Sequence, residues 1–265
     1  MNNEKSTLLY DRDGHQCHVF SNLVEGEGVQ ANQFLIINGH HAALIDPGGD
    51  LTYTPLTIAL SGKVKIEELD YVFASHQDPD IIASLPRWLM HTNAKIVCSN
   101  LWSRFLPHLA SSFVTSKLKR DLTSRLIGLP DGSSKLRFGN SSLYCIPAHF
   151  LHSVGNFQLY DPVSKILFSG DMGASMVSDQ QARQPVADFQ RHITTMKGFH
   201  QRYMCSKRAT RLWANMVRDM DVEMIVPQHG SPFVGKAMIN EFLDWISDLD
   251  CGVDLLTQES YSVKY

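Results

Sequence analysis

Four apolar runs along the chain end in the same way, each giving way to a histidine or aspartate and then to turn residues. Tyr71-Val72-Phe73-Ala74-Ser75 leads into His76-Gln77-Asp78-Pro79-Asp80, and Ser142-Leu143-Tyr144-Cys145-Ile146-Pro147 leads into Ala148-His149-Phe150-Leu151-His152. Lys165-Ile166-Leu167-Phe168-Ser169-Gly170 leads to Asp171, and the run 222–228 leads to His229-Gly230. Short runs rich in β-branched and aromatic residues suit strands buried on both faces. A polar turn after a strand, with Asp78 as a helix cap and Pro79 opening a helix, accounts for the first run alone. It does not account for four. Polar groups gathered at strand ends from distant parts of a chain are how α/β sheets build a site along one edge.

The remaining pattern fills in the sheets and their helices. Residues 8–45 read as short strands broken by polar turns, including Cys17-His18-Val19-Phe20, residues 32–38, the turn Gly39-His40-His41 and residues 42–46. Asp46-Pro47-Gly48-Gly49-Asp50 then has turn chemistry. A helical stretch is expected within 54–69. Another begins at Ser84-Leu85-Pro86, with Ser84 as cap, Pro86 in the first turn, and Trp88 and Leu89 facing the core. Residues 94–99 form the next strand. The region 101–125 reads as helices whose Trp102, Phe105, His108 and Phe113 pack in the core or wall the site. The β pattern resumes over 135–145, a long connection follows over 173–188, and helices return over 188–220 and 235–249. Of the other polar residues, His40 and His41 fall on a solvated loop and His15 and His18 are within reach of a pocket. His192 and His200 are surface or satisfied core histidines, and Tyr203 is a candidate proton donor.

Composition narrows the class. With 265 residues, 43% of them hydrophobic, and no repeat or flexible linker, one α/β domain over 1–265 is expected. A net charge of −3 argues against nucleic acid or an anionic membrane as the main partner. No segment is apolar enough to span a bilayer and no apolar signal region follows Met1, so a cytoplasmic protein is expected. Cys17, Cys98, Cys145, Cys205 and Cys251 are scattered, without a CxxC pair, and suit thiols in a reducing compartment.

In order, the motifs HxDxD (His76, Asp78, Asp80), FLHSxGN (from Phe150), SGD (ending at Asp171) and PQHG (around His229) resemble the metallo-β-lactamase superfamily. Within it the chain resembles the di-iron branch, the flavodiiron proteins and the oxygen-binding di-iron proteins without a flavodoxin module. The resemblance runs from about Asn32 through His229. It implies an α/β four-layer fold, an αββα sandwich of two mixed β-sheets flanked by helices. It also implies that one metal takes His76, Asp78 and His152, the other takes Asp80 and His229, and Asp171 touches both, with Asp46 near the metals but not bound. Two positions depart from the pattern. Superfamily hydrolases carry HxHxDH and flavodiiron proteins HxExDH, whereas here the third position is Asp78 and the final His is replaced by Ile81. One metal is then a ligand short, which makes His149 a further candidate.

Three imidazoles and three carboxylates suit a pair of hard-to-borderline ions better than a single zinc. The resemblance points to two iron ions, with zinc or manganese as the alternative. An anionic Asp78 in place of a neutral histidine lowers Lewis acidity and favours redox or ligand-binding chemistry over hydrolysis. The expected function is a non-haem di-iron protein that binds dioxygen and, with an external electron supply, reduces dioxygen or nitric oxide. No glycine-rich flavin or nucleotide loop is present and no flavodoxin-like module is expected, so the partner is a separate redox or signalling protein. A homodimer stays open. The alternative function is a dinuclear metal-dependent hydrolase of thioesters, lactones or phosphoesters.

Overall fold

Two mixed sheets lie face to face between two helical layers. The computed structural model describes residues 6–109 and 122–263, so the expected packing position of Phe113 lies outside the described residues. The first sheet has the order β1-β2-β3-β4-β5-β6-β7 and the second the order β13-β12-β11-β10-β9-β8. Strands β1 (Ser6–Arg12), β2 (His15–Phe20), β3 (Gln33–Asn38) and β4 (His41–Ile45) form an antiparallel meander. From β4 onward the first sheet is parallel through β5 (Leu69–Phe73), β6 (Lys95–Ser99) and β7 (Leu126–Leu129). In the second, β8 (Ser134–Phe138), β9 (Ser141–Pro147), β10 (Phe157–Asp161) and β11 (Ile166–Phe168) are antiparallel. There β11 pairs parallel with β12 (Met224–Val226), and β13 (Phe233–Val234) closes the edge.

The central strands β3 to β6, β11 and β12 are mostly apolar at consecutive positions because both faces of each sheet are covered. Side chains of a strand alternate between faces, and the core divides accordingly. Phe34, Ile36, Ala43, Ile45, Phe73 and Val97 enter the layer between the sheets and meet Phe138, Cys145, Phe157 and Phe168 from the other side. Phe34 and Phe168 meet with ring centroids 5.1 Å apart. The intervening Leu35, Leu44, Val72 and Ile96 face outward beneath α1 (Asp50–Leu60), α2 (Pro79–Ile82) and α3 (Leu85–His91). The second sheet sends Ile146, Leu167 and Ile225 out beneath three further helices. Two of these bury residues at steps of three and four, as an amphipathic helix must. In Lys207–Arg218 these are Thr210, Trp213, Ala214 and Val217, and in Lys236–Asp248 they are Ile239, Phe242, Leu243 and Ile246.

The structure departs from the sequence expectation in a few places. Helix α1 starts at Asp50, earlier than the expected stretch. Ser84 occupies the cap position of α3, but its hydroxyl donates to the carbonyls of Pro47 and Gly48 instead of capping the helix. Strand β10 escaped the pattern because Gln158, Tyr160 and Asp161 interrupt its apolar run. Gln158 is buried all the same, since it accepts from Trp213 Nε1 at 2.8 Å and donates to the Ser169 carbonyl at 2.7 Å. Of the aromatics expected to pack over the 101–125 region, Trp102 is buried and donates to the Gly155 carbonyl, whereas Phe105 is exposed and lies under the Arg104 guanidinium. The connection over 173–188 contains one helical turn, Asp179–Ala182.

Candidate metal centre

Strand pairing brings the expected residues to one edge of the sandwich. Strands β11 and β12 run parallel with Phe168 opposite Val226, and Asp171 and His229 each stand three residues past that pair. His76 likewise stands three residues past Phe73, the last ladder residue of β5. Parallel neighbours that end level deliver residues at equal offsets to one place. His152 arrives on the β9–β10 loop, which is closed by a hydrogen bond from Ala148 N–H to the Asn156 carbonyl at 3.0 Å. The Leu151–His152 peptide in this loop is cis. Asp78 occupies the N-cap position of α2, with Pro79 opening the helix and Asp80 in its first turn. The Asp78 side chain makes no capping bond, because it turns toward His152 instead.

The centre of the cluster is Asp171, 3% exposed. Its Oδ2 lies 2.9 Å from His152 Nε2 and 3.6 Å from His76 Nε2. The same two imidazole nitrogens lie 3.2 and 3.8 Å from Asp78 Oδ2. The other oxygen, Oδ1, lies 3.5 Å from His229 Nε2, which is in turn 3.8 Å from Asp80 Oδ2. One carboxylate thus faces two separate donor sets. Asp171 Oδ1 is buried without a hydrogen-bond partner, an unusual state for a carboxylate oxygen in a protein interior. A second positive centre on that side would complete it. Three imidazole nitrogens and three carboxylates turned inward are the donor set of a two-ion site, so the residues present fit a pair of metals.

Behind the cluster, hydrogen bonds orient the rings. His229 Nδ1 donates to the Gln30 carbonyl at 2.6 Å, since a carbonyl can only accept, and this fixes the ring with Nε2 turned toward Asp171. His76 Nδ1 lies 3.0 Å from Ser75 Oγ, which accepts from Gln228 Nε2 at 3.2 Å. Asp46, buried and with φ of 54°, accepts the Ser75 backbone N–H at 2.9 Å, so it supports His76 from behind without joining the cluster. Burial pushes the Asp46 carboxyl up to about 6 against that hydrogen bond. Gly230 turns the chain after His229 at φ +88, where a Cβ would stand 1.9 Å from Ser175 Oγ. Only glycine fits there.

The unmetallated cluster is strongly polarised. Burial alone would raise the Asp171 carboxyl, but the hydrogen bond with His152 and the charges of His76 and His229 hold it at about 2. Burial would lower the His152 imidazole, but hydrogen bonds to Asp171 and Asp78 push it up to about 10. Without metal at neutral pH, the proton on His152 therefore takes the place of a cation between two carboxylates.

His149 is not drawn into this cluster. Its Nε2 lies 2.7 Å from the Asp131 carbonyl and its ring packs edge-on to Phe157 at 5.2 Å. His149→Gln is therefore expected to leave the number of metal ions per chain unchanged on metal analysis, and the loss of one ion would return it to the ligand set. Ile81 is wholly buried in the helix-facing core and offers nothing to the site. Tyr203 does reach the site, its ring 5.6 Å from that of His152 and stacked on Phe199 at 4.8 Å. A cavity of about 910 Å³ adjoins the cluster, with Gln30, Met176, Phe199, Arg202, Tyr203 and His229 in its wall. The supporting residues Ser75, Gln228 and Gln30 were not picked out from sequence. Ser75 and Gln228 directly precede candidate ligands, which is the signal available for them, whereas Gln30 acts through its backbone and leaves none.

His200 is a satisfied core histidine, fully buried on the helix Phe189–Tyr203. Its Nδ1 donates to the Met196 carbonyl at 2.9 Å and its Nε2 accepts the Gly173 N–H at 3.1 Å, which ties that helix to the Asp171 turn. Burial lowers this imidazole to about 4. The folded state then excludes a proton that the unfolded chain takes up below about pH 6.5, so stability falls as pH drops from about 6.5 toward 4. The loss reaches about 3 kcal/mol at the lower end. Urea midpoints at pH 7 and pH 5 should separate more in wild type than in His200→Gln, and equal separations would refute the assignment.

Comparison with known proteins bears on the same residues. A family model described as ODP family beta lactamase matches residues 29–230. The chain belongs to this family. Two solved structures of chemotaxis sensor ODP are similar to it over almost their whole length. One, of a peroxy diiron species, is 36% identical with a TM-score of 0.83, covering 97% of this chain and 100% of that one. The other, the apo state from T. denticola, is 35% identical with a TM-score of 0.80, covering 97% and 99%. The uncharacterized protein MJ0732 of Methanocaldococcus jannaschii is 24% identical over 219 residues, which are 82% of this chain. The ODP-family chain spans about half of that relative, 52% of its length. Rubredoxin oxygen:oxidoreductase from Desulfovibrio gigas shares the fold, with a TM-score of 0.72 at 16% identity over 91% of this chain and 61% of that one. The family match includes every residue of the cluster from His76 to His229. Among the described residues no helix is long and apolar enough to cross a membrane.

Proposed function

We propose that this chain is a non-haem di-iron protein that binds dioxygen, acting as a sensor or, where electrons are supplied from outside, as a reductase. The observation that carries the proposal is the division of Asp171, with Oδ2 turned to His76 and His152, which also face Asp78, and Oδ1 turned to His229, which also faces Asp80. His76, Asp78 and His152 would hold one ion, Asp80 and His229 the other, and Asp171 would bridge them. When bound, two irons supply one-electron redox chemistry and open positions for a small diatomic ligand.

The protein's own residues set the conditions for that chemistry. Asp78 and Asp80 add negative charge beside the bridging carboxylate, which favours a higher metal oxidation state over Lewis acidity. Ile81 supplies no donor, so one ion, when bound, would keep a position free of protein ligands. Tyr203 and Phe199 wall the site beside His152, and the adjoining cavity gives a small ligand space to approach. The cluster lies within the residues that the family model matches, 29–230, and a redox or signalling partner would exchange electrons or a signal with it.

Protein purified without oxygen, reconstituted with ferrous iron and then exposed to air provides the test. About two irons per chain and a charge-transfer band that develops on oxygen addition support the proposal. Two zinc ions per chain, no optical response to oxygen and turnover of ester substrates would support a hydrolase instead.

A further inference from the structure

The sandwich has a second cluster of metal-binding side chains at the end away from the metal centre. Strand β10 begins at the metal centre, where Phe157 N–H donates to the Ser75 carbonyl, and runs away from it to end at Asp161. In the other sheet, β2 begins at the same far end, where His15 lies opposite Asn38, the last residue of β3. His15 and Cys17 are two residues apart on β2, so both leave the strand on one face, toward the second sheet. All three are buried, with His15 3% exposed, Cys17 0% and Asp161 0%.

Their donor atoms converge. His15 Nε2 lies 2.7 Å from Asp161 Oδ2, Cys17 Sγ lies 3.5 Å from the same oxygen, and Cys17 Sγ lies 3.9 Å from His15 Nε2. Metal–ligand bonds of about 2.0–2.3 Å at tetrahedral angles place such donors about 3.3–3.6 Å apart. Shifts of roughly half an ångström would bring all three onto one ion. The carboxylate is held in place by the backbone N–H groups of Val163 and Ser164 and by the Ser164 hydroxyl. On the other side of the imidazole, His15 Nδ1 is buried without a hydrogen-bond partner, and the edge of the Tyr10 ring packs on it at 5.8 Å.

We propose that His15, Cys17 and Asp161 form a second, mononuclear site for a zinc-class divalent cation, separate from the centre around Asp171. Charge supports the choice of cation. A divalent ion with one thiolate, one carboxylate and one neutral imidazole is a neutral set, which suits burial. The thiolate and imidazole donors favour zinc over calcium or magnesium, which take oxygen ligands. The thiol proton leaves to solvent on binding, so affinity rises with pH. An ion there would tie the two sheets together at the end that the Asp171 centre does not reach.

The test separates the two sites. The double variant His76→Ala, Asp171→Ala, which lacks the first centre, is titrated with cobalt(II). One cobalt per chain with a thiolate-to-cobalt charge-transfer band, lost when Cys17→Ser is added, is expected. Wild-type crystals soaked with zinc supply a second measurement that needs no variant to fold. An anomalous peak among His15 Nε2, Cys17 Sγ and Asp161 Oδ2 is expected there. The absence of that peak, or a folded double variant that binds no cobalt, would overturn the proposal and leave His15 and Asp161 as a buried hydrogen-bonded pair.

Discussion

Asp171→Asn should lower bound iron after reconstitution from about two ions per chain to below one, the largest functional loss expected of any single substitution. Every other residue of the cluster faces one side, whereas Asp171 presents Oδ2 to His76 and His152 and Oδ1 to His229. Asparagine keeps the volume but offers one neutral oxygen and an amide that donates, so it can complete only one set. The substitution also removes a charge from a 3% exposed position where His152 is held protonated. Taking one partner from a buried pair costs about 3–5 kcal/mol. Some unfolding of the metal-free protein is therefore expected alongside the loss of metal. Circular dichroism separates the two effects, and a folded variant that keeps stoichiometric iron would remove Asp171 from the centre.

Trp88→Ala should produce the largest loss of stability away from the site, about 3–5 kcal/mol. Trp88 is wholly buried and packs against Tyr53 with ring centroids 5.0 Å apart. Its Nε1 donates to Ser84 Oγ at 3.0 Å, and that hydroxyl donates to the carbonyls of Pro47 and Gly48. Gly48 N–H in turn donates to the Ile81 carbonyl. The cavity would thus open beside the α2 turn that carries Asp78 and Asp80. Against a total stability of about 5–15 kcal/mol, such a loss is a large fraction. Chemical denaturation of the metal-free protein measures it, and a change below about 1 kcal/mol would mean that the α3 layer repacks freely.

The convergence of His76, Asp78, Asp80, His152, Asp171 and His229 was legible in the sequence because these candidate ligands follow buried strands, and strand runs covered on both faces stand out from their turns. His76, Asp171 and His229 come together through equal offsets past the ladder, a regularity that needs only the strand ends to be placed. His149 and His152 were harder to separate. Both lie on one loop, and what turns His149 to the Asp131 carbonyl is a contact with a residue 18 positions earlier that no local pattern encodes. Asp78 resembled a helix cap in sequence and holds that position, but its side chain serves His152 instead. Strand β10 was hidden by Gln158, a buried polar residue whose partners, Trp213 and Ser169, lie elsewhere in the chain. Phe105 was expected to pack because helical spacing cannot tell an inner face from an outer one, and it is 55% exposed.

Anomalous diffraction at the iron edge, on crystals of anaerobically reconstituted protein, tests the central claim most directly. Two peaks are predicted, one among His76, Asp78 and His152 and the other beside Asp80 and His229, with Asp171 between them. A single peak, or none within reach of Asp171, would contradict the assignment of a bridged di-iron centre.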